Sequence, residues 1–457
     1  MTAPRFGHVR PRDLALFTDR YELTMMQGYH GTDHDPIATF SVYFRSLPSD
    51  RGYAVAAGLE QVLAALDALE FDADALAFLA DQGFSDEFLA TLESYSFGGE
   101  IRAVPEGTLV FPNEPILEVT APILEAQLLE TLVLNQVGYQ TLVATKAARM
   151  ADVVARHGDD QELVDFGSRR AHGVDAGLKA ARAAYVGGFD GSSNVLAGER
   201  FGVPTYGTMA HSWVQSFETE RASFEAFADS YGDDAIYLVD TYDTVRGAER
   251  AVAVADERDV RLGGVRLDSG DLIELSKVVD DIVGDAGIVV SSSVDEFFLR
   301  EFFDAGGVAT AFGPGTALTT SRDAPSSGVV YKLTAVERDG DLEPSMKLSP
   351  GKVTYPGQKE TYRIEREGSF VRDVLATREE SVEGRPLLET VVEDGSLVAD
   401  PPTLSEARER TRSQLESLPE RYRRVSDPDT YEVRISDGLE SLRRRTEREI
   451  TDRERRG

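Results

Sequence analysis

Short apolar runs recur through the middle of the chain, and each stops at once in a loop of glycine, serine, aspartate, arginine or histidine. Residues 163–166 lead into GSRRAHG, 203–206 into GTMAHSW, 235–239 into DTYDT, 263–267 into DSGD, 288–290 into SSSVDE and 308–312 into GPGT. Runs this short fit buried strands, while amphipathic stretches such as 272–282 between them have the helical period. Alternating β and α segments predict parallel strands joined by crossover helices. In a barrel of that kind the catalytic groups gather on loops at the C-terminal ends of the strands. Every one of these loops carries candidate residues.

The flanking sequence predicts further parts. Residues 13–29 have helical spacing through Leu14, Phe17, Tyr21 and Met25, residues 37–44 alternate as a strand, and 59–69 and 87–95 are helical. Residues 101–119, broken by Pro105, Pro112 and Pro115, predict short antiparallel strands. A long apolar helix over 123–154 leads into the repeating part. Strand-like stretches at 361–366 and 388–392 are expected to return to the N-terminal domain, and 404–450 is charged and helical. The expected class is α/β: an N-terminal α+β domain (1–120), an irregular α/β barrel carrying the site (121–340), a return segment packing on the N-terminal domain (341–400) and a charged helical C-terminal region (401–457).

Charge excludes one class of partner. The net charge of −32 opposes binding to nucleic acid, whose phosphates need a basic surface. The acidity is dispersed, and Lys146, Lys179, Lys277, Lys332, Lys347, Lys352 and Lys359 are the only lysines. Such a surface suits a cytoplasm of molar salt, where the Debye length shrinks to about 3 Å. With no cysteine, disulfides, thiolate metal sites and a cysteine nucleophile are excluded. The apolar runs are too short and too often charged to span a bilayer, and residues 1–17 lack the apolar core of a signal peptide. A cytoplasmic protein is expected.

The loops carry specific chemistry. His211, at a strand-to-helix junction, can act as acid, base or nucleophile. His172 and His211 are the only histidines in these loops, and neither has a histidine partner at ligand spacing, which disfavours a metal centre. The pairs Asp240/Asp243 and Asp268/Asp271 stand three apart just past strands. Such carboxylates can hold a cation through water, bind sugar hydroxyls or stabilise positive charge at an anomeric carbon; equally, each can cap the helix that follows. Backbone N–H groups in the GPGT turn can cradle phosphate. Arg169, Arg170 and Arg266 can clamp phosphate or carboxylate, and Phe166 and Tyr21 offer a stacking surface for a flat ring. Together these features suggest a phosphorylated sugar and an aromatic acid.

LFTDRYELTMMQGY, DFGSRRAHG, GGFDGSSNVLAG, GTMAHSW, VDTYDT, VRLDSGD, FGPGT and KLSPGKVTYPGQK occur in this order, and the chain from residue 16 to about residue 359 resembles nicotinate phosphoribosyltransferases. The resemblance implies a type II phosphoribosyltransferase fold and a homodimer with sites at the subunit interface. It implies transfer of phosphoribose to nicotinate, coupled to ATP hydrolysis and requiring Mg²⁺. By motif, His211 would be phosphorylated by ATP. Phe166 and Tyr21, the latter from the neighbouring subunit, would sandwich the pyridine ring. Thr208 and Arg266 would contact nicotinate, and Arg169 would lie near the carboxylate and pyrophosphate. Gly313, Gly315 and Thr316 would hold the 5′-phosphate, while Asp243 and Asp268 would face ribose and Mg²⁺. Ser193 stands where the nicotinamide-using sister family has aspartate, so it would favour the acid over the amide, unless it merely caps a helix. Competing readings are a nicotinamide or quinolinate phosphoribosyltransferase, and a barrel metallohydrolase using His172, His211 and Asp268.

The dispersed acidity carries a direct test. Thermal melts from about 0.1 M to about 3 M KCl should show a melting temperature that climbs with salt as self-repulsion is screened. A flat series would remove the halophile expectation.

Overall fold

A computed structural model describes residues 9–159, 161–349 and 354–456. The chain divides into two compact units, one of Leu142–Pro325 and one of Met1–Thr141 with Ser326–Gly457. Among the described residues no helix is long and apolar enough to cross a membrane.

Among its described residues the contiguous unit contains six parallel strands: β1 (Glu162–Asp165), β2 (Gly191–Ser192), β3 (Ile236–Leu238), β4 (Gly264–Leu267), β5 (Gly287–Ser291) and β6 (Ala311–Gly313). Their order in the sheet is β2-β1-β6-β5-β4-β3, and a parallel bridge from Ser192 to Thr205 extends it beyond β2. Val265, Leu267, Ile288, Val290 and Phe312 are buried, as a parallel sheet covered by helices requires. Aspartate closes three of the loops. Asp243 caps helix Thr244–Arg258, Asp271 caps Leu272–Val283 and Asp295 caps Glu296–Asp304, each accepting a first-turn N–H. A cap of this kind contributes about 1 kcal/mol. Buried Glu296 is paired with Lys146 at 2.6 Å and Arg149 at 2.8 Å, and Lys146 also reaches Asp323 at 2.6 Å.

The other unit is built from both ends of the chain. Its seven-stranded sheet runs Asp341–Pro344, Val329–Arg338, Ile37–Phe44, Leu117–Pro122, Glu100–Ala103, Glu389–Glu393, Ser396–Leu397. Val329–Arg338, which the sequence reading placed in the barrel, pairs antiparallel with Ile37–Phe44. Glu389–Glu393 does return to Glu100–Ala103. Lys359–Arg366, expected to do the same, instead forms a hairpin with Ser369–Thr377 in a separate sheet. The helix expected over 13–29 is a 3-10 turn, Pro11–Leu16, followed by an α-helix, Arg20–Gly31. The long apolar stretch splits likewise into Ile123–Gln127 and Glu130–His157. The charged C-terminal part forms helices Leu404–Ser417 and Asp437–Arg456. Positions 350–353 of the KLSPGKVTYPGQK motif lie outside the described residues.

A buried arginine explains the separate hairpin. Arg363 lies between Phe111 and Phe370, 5.4 and 4.5 Å from their ring centres. It donates to Asp373 at 2.6 Å, Gln414 at 2.9 Å and the Leu109 carbonyl at 2.7 Å. Asp373 also accepts from the Tyr431 hydroxyl. Burial, and then the nearby Asp373 carboxylate, push the Glu114 carboxyl well above its usual range. Pairing with Asp373 across the hairpin thus gives the guanidinium the charge partner its burial demands. Arg363→Met should cost about 3–5 kcal/mol in urea unfolding because it strands Asp373 as an unpaired buried charge, and adding Asp373→Leu should recover much of the loss. If the double variant is as unstable as the single one, the cost is packing rather than charge.

Candidate active site

The turn after β1 is set by Asp165, a fully buried carboxylate. Its Oδ2 accepts the Ser192 hydroxyl at 2.7 Å, its Oδ1 accepts the Gly167 N–H at 2.7 Å, and its backbone carbonyl accepts the Ser193 N–H at 2.8 Å. Burial raises its pKa, and the bonds from Ser192 and Gly167 oppose that. These bonds hold the loops after β1 and β2 together and fix Phe166 at the strand end. The Phe166 N–H donates to the Pro314 carbonyl at 2.9 Å. A Cβ on Gly313 would stand 2.3 Å from Cδ2 of Phe166, so only glycine lets the ring lie against the GPGT loop.

At the other edge, the loops after β3 and β4 converge on His211, and the end of β5 supports Asp268. Its Nδ1 is 3.2 Å from the Thr241 hydroxyl, and its Nε2 is 3.7 Å from Asp268 Oδ2 and 4.0 Å from Asp240 Oδ1. Oδ2 of Asp240 accepts the Asp268 N–H at 3.0 Å and the Ser269 hydroxyl at 2.5 Å. Asp268 Oδ1 accepts the Ser291 hydroxyl at 2.6 Å. Arg266 donates to the Thr208 hydroxyl at 2.5 Å, while its Nε is buried with no hydrogen-bond partner among the described residues. Burial lowers the Arg266 pKa; Asp268 and Asp240 counter that, and Arg169 adds to it.

Between these edges lies a cleft of about 350 Å³. Phe166, Arg169, Arg170, Arg266, Asp268, Gly313, Gly315 and Thr316 line it, together with Ser291, Ser292, Ser293 and Arg322. Four arginines face one cavity in a chain of net charge −32, which marks it for an anion. Arg322 is held by Asp295 at 2.8 Å. Ser292 and Ser293 adopt φ of 77° and 56°, so two successive non-glycine residues are left-handed at the cavity wall, a strain that concentrates at functional sites.

The structure therefore brings together Phe166, Arg169, Arg266, Asp268, Gly313, Gly315 and Thr316 at the cleft, with Thr208 bonded to Arg266 and His211 beside Asp268. Asp243 is exposed, and its Oδ1 caps a helix, accepting the Arg246 N–H at 2.9 Å. The cap of helix Val195–Phe201 is Asn194, so Ser193 is not a capping residue. Tyr21 stands 46% exposed on Arg20–Gly31 in the other unit. Partial burial and then Glu130 push its hydroxyl pKa up. Among the described residues no three His, Cys, Asp or Glu side chains form a group able to hold a metal, which leaves the metallohydrolase reading without a ligand set. The sequence reading passed over Ser291, Ser292, Ser293 and Arg322, and singled out Asp240 only as one of a pair. The triple serine directly after an apolar run was the signal for the three serines, and Arg322 had none of that kind.

Known proteins resemble this chain in sequence and in fold. The sequence matches the nicotinate phosphoribosyltransferase N-terminal domain over residues 16–138, the nicotinate phosphoribosyltransferase family over 161–354 and the corresponding C-terminal domain over 381–443. The last match covers a region where the sequence reading found no motif. The chain is 46% identical over 391 residues to nicotinate phosphoribosyltransferase pncB2 of Mycobacterium tuberculosis, covering 83% of this chain and 82% of that protein. It is 43% identical over 363 residues to nicotinate phosphoribosyltransferase of Bacillus subtilis, covering 77% and 73%. The crystal structure of human nicotinic acid phosphoribosyltransferase superposes with a TM-score of 0.83 at 31% identity, covering 94% of this chain and 99% of that one. The chain thus belongs to the nicotinate phosphoribosyltransferase family.

Proposed function

We propose that this enzyme joins nicotinate to 5-phosphoribosyl 1-pyrophosphate, giving nicotinate mononucleotide and pyrophosphate, the first step of NAD salvage from nicotinate, and that ATP drives it through His211. The observation that carries the reading is the cleft itself, which four arginines and the GPGT turn line together with Asp268 and Phe166. The pyridine nitrogen lone pair attacks the anomeric carbon as the bond to pyrophosphate breaks, its electron pair leaving with the pyrophosphate. Positive charge develops on the ribose, where Asp268 stabilises it. Arg169 and Arg266 hold the anions, Phe166 orients the ring, and the attacking nitrogen needs only positioning. In the ATP step an imidazole nitrogen of His211 forms a bond to the γ-phosphorus while the bond to the bridging oxygen breaks and ADP leaves. Water later cleaves the N–P bond, restoring the imidazole and releasing phosphate. The added negative charge beside the pyrophosphate site is the lever by which ATP changes substrate and product affinity.

Mg²⁺ fits this donor set as an ion that keeps much of its shell from phosphate oxygens and water. Asp268, partly open to the cleft, and Asp243, with one oxygen spent on capping, are the residues that would meet it. When bound, it neutralises charge on the pyrophosphate. In the same reading the parallel sheet forms the wall of an irregular α/β barrel, and a second copy in a homodimer supplies Tyr21 to stack on the ring opposite Phe166. The dispersed acidity adapts the enzyme to high salt.

Mass spectrometry of products from nicotinate, phosphoribosyl pyrophosphate and ATP tests the reaction directly. His211→Asn should abolish ATP hydrolysis and acid-labile phosphate on the protein, while a slow, ATP-independent transfer persists. Phosphate uptake by that variant would place the acceptor elsewhere. Ser193→Asp puts a carboxylate near the acid group of nicotinate, so it should raise the nicotinate Michaelis constant at least about tenfold more than that of phosphoribosyl pyrophosphate and add nicotinamide turnover. An unchanged acid-to-amide ratio would end the specificity role of Ser193.

A further inference from the structure

Asp240 is the buried group that the mechanism above leaves without a task. Its side chain is 1% exposed, against 29% for Asp268 and 39% for His211. Its two oxygens have different surroundings. Oδ2 is saturated by donors from the loop after β4, the Asp268 N–H and the Ser269 hydroxyl. Oδ1 is buried with no hydrogen-bond partner among the described residues and stands 4.0 Å from Nε2 of His211. The next residue, Thr241, places its hydroxyl 3.2 Å from the other ring nitrogen. Consecutive residues after β3 therefore address both nitrogens of the imidazole, and the same carboxylate also fixes the backbone of Asp268.

We infer that Asp240 is a positioning residue that joins the two half-reactions, its Oδ2 clamping the Asp268 loop and its Oδ1 orienting the His211 ring for phosphoryl uptake. A buried, unpartnered carboxylate oxygen disfavours folding unless something offsets it, and the His211 ring stands 4.0 Å from it. A separation of 4.0 Å exceeds a hydrogen bond, but catalytic contacts are often long before substrate is bound. Asp268 Oδ2 stands slightly closer to Nε2, at 3.7 Å, but Asp268 opens to the cleft, where the proposed reaction gives it the ribose, whereas Asp240 is wholly buried and faces no ligand. A single carboxylate shared by the ATP-dependent histidine and the ribose-facing aspartate is a direct route by which events at one could reach the other. This inference rests on the proposed function.

Two variants of the full-length protein separate the two oxygens. In Asp240→Asn the amide oxygen faces the Asp268 and Ser269 donors and keeps the clamp, which leaves the NH₂ towards Nε2, a donor where an acceptor stood. Asp240→Ala removes both contacts. Labelled phosphate uptake from ATP and ATP-independent transfer would each be measured, with melting temperature as the check on folding. In Asp240→Asn, uptake should fall at least about tenfold more than transfer, and transfer in Asp240→Ala should fall at least about tenfold below that of the Asn variant. Wild-type uptake by Asp240→Asn overturns the role at His211, and equal transfer by the two variants overturns the clamp. If the wild-type enzyme itself takes up no phosphate, the ATP part of the proposed function fails, while the comparison of transfer rates still decides the clamp.

Discussion

Each strand of the parallel sheet hands over to a helix whose first turn has unsatisfied N–H groups, and that requirement orders the site. Asp243, Asp271 and Asp295 meet it by capping. Because a cap sits at the far end of its loop, the residue three places earlier stands at the strand end and is free of that duty. Asp240, Asp268 and Ser292 occupy those positions, and Asp268 and Ser292 line the cleft. Three repeats of one local rule thus place a second polar group at the strand end, three residues before the one that holds the helix, and only Asp243 is asked to serve in both ways.

Electrostatics gives the cleft its character. A chain of net charge −32 repels anions almost everywhere, so an anionic substrate needs local reversal of sign. Arg169, Arg170, Arg266 and Arg322 supply it together. Arg266 is placed for this by three features: its Thr208 hydrogen bond, its unsatisfied Nε and its neighbours Asp268 and Asp240. Burial lowers its pKa while Asp268 and Asp240 oppose that, and a guanidinium stays charged in proteins, so the cation is held partly out of water. A desolvated cation with a spare donor binds a carboxylate or phosphate more strongly than a solvated one.

The α/β class and the loops of the site were legible because period and punctuation are local properties of sequence. Phe166, Arg169, Arg266, Asp268 and the GPGT turn all stand at strand ends, where the apolar runs put them. What escaped was set by tertiary partners. Spacing could not tell which aspartate of each pair caps, since both stand near a helix start. Nor could it show that Asn194 rather than Ser193 closes the turn before Val195–Phe201. The pairing of Lys359–Arg366 was misread because its cause, a buried Arg363 meeting Asp373, depends on packing from Phe111, Gln414 and Tyr431 as well. Ser291 looks like any loop serine until Asp268 is found beside it.

The unit built from both chain ends imposes an order on synthesis. Ile37–Phe44 emerges from the ribosome roughly 290 residues before its antiparallel neighbour Val329–Arg338, a delay of about 15–60 s at ordinary elongation rates. Through that interval one edge of a largely apolar strand has no partner, the condition that invites pairing between chains. The contiguous unit, by contrast, can close its parallel sheet as soon as Pro325 has emerged. The nascent protein therefore acquires its ligand-binding loops while its other sheet is still open, and chaperone protection matters most for the half of the molecule made first.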